Sequence, residues 1–250
     1  MICPDYPQAS FFIFAEGVPD LLYYSHLSAI VISMFVGTFV YVKDRNNLAS
    51  RVLFLLSISF SLWTLINLIT WTNNSSDLIM FIWSFFGILY ALICVLSLYF
   101  IYVFIDKKQP STLVRLILGL LFLPIIIFAP TYAHLTIFNV PLCGVTEEGL
   151  IYTNYYYLFG FLMFLWALYI LILRYKHALD TQKKQILMLG IGIELFLFSF
   201  FLTGYIPSLL ADNFFVLEFY GLFGMTFFMG VLAFLIVKYK TFNIKLLGAQ

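Results

Sequence analysis

Charged side chains are scarce in this sequence. Asp, Glu, Lys and Arg together make up 10% of its 250 residues, while hydrophobic residues make up 63%. A soluble domain carries about 25% charged residues, because it needs a polar surface in contact with water. A chain with so few charges cannot cover itself in that way. The sequence therefore excludes a soluble globular domain and predicts an integral membrane protein.

The residue patterns of common catalytic and binding sites are also missing. The chain has no Gly-rich phosphate loop, no Ser-His-Asp set and no C-x-x-C pair. Its net charge of +1 favours no nucleic-acid partner. Residue types that suit zinc are present, among them His26, His134 and Glu148, but no helical spacing brings two of them together. The sequence therefore predicts no enzyme activity, no cofactor and no metal site.

Long apolar segments, in contrast, recur seven times. A helix needs about 20 mostly apolar residues to cross a hydrocarbon core of ~30 Å, and none of these segments shows the alternation of barrel strands. The predicted spans are approximately 22–42, 52–71, 78–105, 113–130, 153–173, 186–205 and 215–237. The sequence therefore predicts a single all-α domain, a seven-helix membrane bundle, followed by an exit segment at 238–250.

Prolines and glycines mark two of the predicted spans. Pro124 and Pro130 predict that the fourth span is kinked or shortened at its outer end. Gly221, Gly224 and Gly230 thin the last span, which predicts close packing against another helix or a hinge.

Lys and Arg residues lie only at alternate connections between the predicted spans. The thirteen are Lys43, Arg45 and Arg51; Lys107, Lys108 and Arg115; Arg174, Lys176, Lys183 and Lys184; and Lys238, Lys240 and Lys245. The N-terminal segment and the second, fourth and sixth connections have none. Connections rich in Lys and Arg remain in the cytoplasm. This pattern predicts an outside N-terminus, a cytoplasmic C-terminus and a multi-pass protein of the plasma membrane.

Two features are predicted on the outer side. Cys3 and Cys143 both lie there and form a candidate disulfide, because an oxidising exterior permits such a bond; two free thiols are the alternative. The longest outer connection, 131–154, is either a ligand-binding lid or a plain connection that lies on the membrane.

Glu194 is the acidic residue predicted deepest in the membrane. It lies nine residues beyond Gln185, which is about 13 Å along a helix and near the middle of a ~30 Å core. A charge there costs about 2.5–3.5 kcal/mol, so we expect a neutral, hydrogen-bonded acid that faces other helices. The same depth count gives the candidate partners in this intramembrane polar site: Ser33, Ser59, Ser61, Ser97 and Thr226. A structural clamp and a role in sensing a ligand, proton or ion both remain open.

Two short segments resemble a known family. The exit of the last span has Tyr239, Lys240, Phe242, Asn243 and Ile244 where that family has an aromatic-basic-aromatic turn ending in an acidic or amide residue and Ile. The segment QKKQILMLGIG begins the sixth span with a basic-Gln-aliphatic pattern. Both are similar to the seven-helix membrane region at the N-terminus of bacterial sensor histidine kinases, and the predicted topology agrees with that region.

The resemblance implies a membrane-embedded sensor module that passes a signal through the last helix and the output segment 239–244. The kinase's dimerising helices, phospho-acceptor histidine and ATP-binding domain are absent from the 250 residues, so kinase activity is not implied. The expected partners are the lipid bilayer, a small-molecule or lipid ligand, a cytoplasmic kinase or cyclase output domain, and a second copy in a homodimer. The alternative is a small transporter or channel-like protein that uses Glu194 as its coupling acid.

Overall fold

The structure is a computed structural model, and it describes residues 9–11, 13–15, 18–73, 75–139, 145–209 and 217–239. Its helices are α1 Asp20–Lys43, α2 Leu48–Thr72, α3 Ser76–Trp83, α4 Phe86–Asp106, α5 Thr112–Phe128, α6 Leu150–His177, α7 Asp180–Leu209 and α8 Leu217–Tyr239. Two small antiparallel sheets pair β1 Ala9–Phe11 with β2 Phe14–Ala15, and β3 Leu135–Asn139 with β4 Val145–Glu148. The predicted all-α fold class is confirmed.

Helix lengths agree with a membrane bundle. Within the described residues, six helical segments are long and apolar enough to cross a membrane, and α3 and α4 together form one of them, Asp77–Asp106. The seventh, α5, is a shorter apolar helix of 17 residues. Each predicted span overlaps one of these segments.

The third predicted span is interrupted at Ser84 and Phe85, between α3 and α4. The Phe85 amide donates to the Ile82 carbonyl at 3.1 Å, a tighter turn than that of an α-helix. The Ser84 hydroxyl donates to the Phe81 carbonyl at 2.6 Å, which takes up another backbone acceptor at the break. Such local hydrogen bonds bend helices, and they explain why one apolar segment gives two helices.

The helices close into a ring. Neighbouring pairs in the ring are α1 with α2, α2 with α4, α4 with α6, α6 with α7, α7 with α8, and α8 with α1, while α5 packs on α4 and α6. Fully buried phenylalanine rings fill the interior: Phe196 lies 5.6 Å from Phe60 and 6.1 Å from Phe228, and Phe228 lies 6.0 Å from Phe100. These four residues come from α2, α4, α7 and α8, so aromatic contacts join opposite sides of the ring.

Pro124 lies inside the shortened helix α5. Proline has no backbone N–H, so its turn of helix lacks one internal hydrogen bond. Two tyrosines of α6 donate to carbonyls next to it: Tyr155 to Leu121 at 2.8 Å and Tyr152 to Ile125 at 3.2 Å. The two hydroxyls thus anchor the turns around Pro124 to α6.

Glycines of α8 allow very close packing on α7. A Cβ atom at Gly224 would overlap with Ser199 Oγ, and one at Gly221 would overlap with Thr203 Oγ1. At Gly230, by contrast, no atom of the described residues lies within 4 Å of the position of a Cβ. Two of the three predicted glycines therefore serve close helix packing, as in small-residue interfaces of other membrane helices.

Candidate functional site

The two ends of the bundle carry opposite charge. One end, here called the basic end, holds the described Lys and Arg residues, which lie at the end of α1, the start of α2 and the facing ends of α4 to α8. The other, the acidic end, holds Asp20, Asp77, Glu148 and Glu218. Arg174 and Asp106 form an ion pair of 2.7 Å at the basic end, but the arginine is exposed and such pairs contribute little. The acidic end contains the hydrogen bonds of Glu148 and Glu218, which are described next.

Glu148, the last residue of β4, lies in a cradle of hydrogen-bond donors. Trp83 Nε1 donates to its Oε1 at 2.6 Å, while the hydroxyls of Thr153 and Tyr156 donate to its Oε2 at 2.7 and 3.0 Å. His134 Nε2 lies 3.6 Å from Oε1, beyond hydrogen-bond distance but within the range of an ion pair. One carboxylate thus holds the β3–β4 hairpin against α3 and α6.

The pKa of Glu148 reflects two opposing effects. Burial alone raises the pKa of a carboxyl group, because it disfavours the charged form. The contacts with His134, Thr153 and Trp83 favour the charged form more strongly, and they leave the pKa of Glu148 below its ordinary value. Glu148 is therefore a charged acceptor at neutral pH.

A second chain of polar contacts joins α1, α2 and α8. His26 Nε2 lies 2.8 Å from Asn67 Oδ1, and Asn67 Nδ2 donates to Glu218 Oε1 at 3.1 Å. His26 is fully buried and Asn67 is 4% exposed. The other ring nitrogen of His26, Nδ1, lies 2.8 Å from the Leu22 carbonyl. Glu218 stands in the first turn of α8, so this chain ties the acidic end of α8 to two other helices.

Apolar and electrostatic contacts reinforce this second cluster. The Phe219 ring lies edge-on to His26 at 5.6 Å and to Trp71 at 5.0 Å. Glu218 and Glu148 also interact electrostatically. The two polar clusters at the acidic end are therefore not independent, because a change of charge in one is felt in the other.

Glu194 lies on the side of α7 that faces α6. One turn before it, Gly190 meets Leu171 of α6, and the antiparallel course of the two helices sets Glu194 level with Ala167. Both carboxyl oxygens are buried, and neither has a hydrogen-bond partner among the residues that the structure describes. Among the described residues, the predicted hydrogen-bonded clamp of Glu194 is therefore not formed.

The candidate serine and threonine partners of Glu194 form no hydrogen bond with it in the described structure. Ser33 and Ser61 are 3.0 Å apart, in a bond between α1 and α2. The hydroxyls of Ser97 and Thr226 are buried without a hydrogen-bond partner in the described ranges, and Ser59 is buried on α2. The structure brings Ser33 and Ser61 together and joins none of the five residues to Glu194 by a hydrogen bond.

Two sets of predicted residues fall largely outside the described part of the chain. Within the output segment only Tyr239, the last residue of α8, is described; Lys240, Phe242, Asn243 and Ile244 lie beyond it. Lys238 Nζ lies over the rings of Phe234 and Tyr239, at 5.0 and 5.8 Å from their centroids.

The candidate disulfide stays a prediction. Both Cys3 and Cys143 lie outside the described residues. Cys94, which the structure does describe, is buried in α4 as a free thiol.

Sequence reasoning missed both clusters at the acidic end. His134 and Glu148 meet because the β3–β4 hairpin folds back, while His26, Asn67 and Glu218 meet only across three helices. No regular spacing connects them. Within the described ranges, no group of three or more His, Cys, Asp or Glu residues has the geometry to hold a metal ion.

Fold and site together define a multi-pass membrane protein with a polar, donor-rich acidic end and a closely packed last helix. Residues 25–245 match the family model of the N-terminal 7TM region of histidine kinase. The chain belongs to this family, which is a family of membrane sensor regions, and the resemblance found in the sequence is confirmed. No curated protein and no solved structure matches the chain.

Proposed function

We propose that the chain is the input module of a membrane sensor, with its acidic end outside the cell and α8 passing a signal to a cytoplasmic output domain. The observation that supports this most directly is the double attachment of α8. Its first turn is tied to α1 and α2 through Glu218 and Asn67, and its flank packs on α7 through Gly221 and Gly224. A change at the acidic end therefore acts on the helix that ends the bundle.

The filled interior favours a sensor over a channel. Phe60, Phe100, Phe196 and Phe228 occupy the centre of the ring with edge and stacked contacts. A packed interior switches between discrete arrangements rather than deforming continuously. A ligand that binds two such arrangements unequally shifts their populations, which is sufficient for signalling. The proposal assigns no catalysis to the chain itself.

The proposed partners follow from this role. The lipid bilayer surrounds the bundle, and a small molecule or a lipid supplies the input. A kinase or cyclase domain reads the position of α8 beyond Tyr239, and a second copy of the chain provides the homodimer in which such domains act. We place the protein in the bacterial plasma membrane, with Gln250 in the cytoplasm.

Fusion of a cytoplasmic histidine kinase after Gln250 tests the proposal. Phe228→Leu alters a fully buried ring of α8, whereas Phe227→Leu, one residue earlier, alters a ring that is 48% exposed. We expect Phe228→Leu to change kinase autophosphorylation in cells several-fold, because α8 repacks against Phe100 and Phe196, and Phe227→Leu to leave it unchanged.

The same fusion reports orientation. A kinase placed outside the cell would have no ATP, so a fusion that inserts but never phosphorylates would refute the proposed topology. A folded, active fusion that responds to neither substitution would instead refute signal passing through α8.

A second candidate function, a transporter with Glu194 as coupling acid, has one observation in its favour. Within the described part of the chain, both oxygens of Glu194 are buried without a hydrogen-bond partner, which favours a role in accepting a proton or ion. A coupling acid must gain and lose its proton, whereas a structural acid need not. In the sensor we expect Glu194→Gln to keep normal kinase output in the fusion. Loss of solute or proton flux in proteoliposomes with intact folding would favour the transporter.

A further inference from the structure

The side-chain amide of Asn67 lies between His26 and Glu218 and forms a hydrogen bond with each of them. This arrangement restricts the protonation states that His26 and Glu218 can have. We propose that these residues form a proton-binding site that fastens the acidic end of α8 to α1 and α2 only while it holds a single exchangeable proton. The chemistry stands on the geometry alone, while its role in signalling rests on the function proposed above.

The contacts of His26 Nδ1 determine which nitrogen of the imidazole can gain or lose a proton. His26 Nδ1 lies 2.8 Å from the Leu22 carbonyl oxygen, which is an acceptor only, and 3.0 Å from Ser25 Oγ. Ser25 in turn donates to the same carbonyl at 3.1 Å. Nδ1 therefore keeps its hydrogen, and any change of protonation at His26 takes place at Nε2, the nitrogen that faces Asn67.

The amide of Asn67 determines which of its two neighbours donates a hydrogen bond and which accepts one. An amide has one accepting end, the oxygen, and one donating end, the NH₂ group. Its two flanking groups, His26 Nε2 at 2.8 Å and Glu218 Oε1 at 3.1 Å, must therefore differ. One of them has to donate and the other has to accept.

Two arrangements satisfy this rule, and they contain the same number of protons. In the first, an imidazolium Nε2–H donates to Oδ1, and Nδ2 donates to the Glu218 carboxylate. In the second, Nδ2 donates to neutral Nε2, and a protonated Glu218 donates to Oδ1. The first becomes the second when the proton leaves Nε2, a proton arrives on Glu218 and the amide turns by half a rotation. The net charge of the cluster is unchanged.

Any other number of protons breaks one of the two bonds between helices. With none, Nε2 and the carboxylate are both acceptors, and one of them faces the amide oxygen. With two, both flanking groups are donors, and one of them faces the NH₂ group. A buried polar group without its partner is destabilising. The attachment of α8 is therefore strongest at an intermediate pH and weaker on both sides of it, as for a coupled pair of sites.

The surroundings contain one further charge that acts on this site. Glu148 on β4 interacts electrostatically with Glu218, while α2 brings no titratable group besides its arginine at the basic end. The other titratable side chains described at the acidic end are Asp20, Tyr23 and Tyr24 on α1, Asp77 on α3, Tyr90 on α4, Tyr132 between α5 and β3, His134, Tyr152, Tyr155, Tyr156 and Tyr157 on or beside α6, Tyr205 on α7 and Tyr220 on α8. None of them forms a hydrogen bond to the three residues of the site. Histidine is the side chain that ordinarily changes charge between pH 5 and 8.

The full chain in lipid nanodiscs tests the proposal through its midpoint of thermal unfolding between pH 5 and pH 9. We expect a maximum within this range and a fall of about 2–5 °C towards each end, the size of one lost interhelical hydrogen bond. Glutamine always offers both a donor and an acceptor. His26→Gln and Glu218→Gln should therefore keep both bonds at every pH and give flat profiles.

Matched variants separate this proposal from a purely structural role. His177→Gln changes an exposed histidine at the basic end and should retain the maximum of the wild-type profile. Glu218→Leu removes the acceptor and should lower the midpoint at every pH. A flat wild-type profile, a maximum that persists in Glu218→Gln, or a Gln variant that fails to fold would each overturn the proposal. The measurement needs no output domain, so its failure leaves the kinase-fusion result standing, and failure of that fusion leaves this profile intact.

Discussion

Gly224→Leu is expected to destabilise the bundle by about 3 kcal/mol or more, and to lower its midpoint of thermal unfolding by about 6–12 °C. The position has no room for a side chain, because even a Cβ atom would overlap with Ser199 Oγ and crowd the backbone of Phe196. A leucine would force α7 and α8 apart, and with them the contacts that both helices make to the rest of the ring. Thermal unfolding in lipid nanodiscs measures the effect.

Gly230→Leu is the matched control on the same helix. No atom of the described residues lies within 4 Å of a Cβ at this position, so a side chain there does not collide with a packed neighbour. Glycine is about 1 kcal/mol less favourable than alanine inside a helix, and we expect the variant to be as stable as the wild type or slightly more so. Equal losses at Gly224 and Gly230 would show that the α7–α8 contact is not what holds α8 in place.

Glu148→Leu is expected to release the β3–β4 hairpin and to cost about 3 kcal/mol. The change strands three donors, Trp83 Nε1 and the hydroxyls of Thr153 and Tyr156, in a half-buried site. Hydrogen exchange of the backbone amides in β3 and β4 should rise. Asp77→Leu, at an exposed acid of the same end, should alter stability by less than about 1 kcal/mol. Unchanged exchange in Glu148→Leu would refute the role of this carboxylate.

Glu148 also predicts that the β3–β4 hairpin loses stability at low pH. Because the pKa of Glu148 lies below its ordinary value of 4.5, the folded protein favours the charged form. Its contribution is fully present above that value and is lost as the pH falls through the lowered pKa. Hydrogen exchange in the hairpin should therefore rise in the wild type once the pH falls below 4.5, and Glu148→Gln should show no such acid-dependent step. This range lies below the pH window in which we expect the His26–Asn67–Glu218 site to respond.

The sequence allowed the spans and the distribution of charge to be predicted because both are local properties. Twenty apolar residues are enough to recognise a membrane helix, whatever it packs against. Counting residues from the nearest charge also gave a useful depth, since Ser33 and Ser61, assigned to similar depths, lie 3.0 Å apart.

Depth alone does not give direction, which is why the environment of Glu194 could not be predicted. Its height in the membrane follows from the count, but the face of α7 on which it lies depends on which helices are neighbours. The contacts of Glu148 and Glu218 have the same origin: they depend on the ring order of the helices and on the β3–β4 hairpin. Neither the ring order of the helices nor the hairpin can be predicted from hydropathy and residue spacing.

The phenylalanine-filled centre of the ring has a consequence for the energy supply of the cell. A bundle that sensed by opening a water-filled path would let ions run down their gradients each time it responded. Here Phe60, Phe100, Phe196 and Phe228 occupy that path, so the movement of α8 proposed above would need no ionic current. In the proposed sensor, the work of each response would come from the binding of the stimulus alone, and the membrane potential would be left intact.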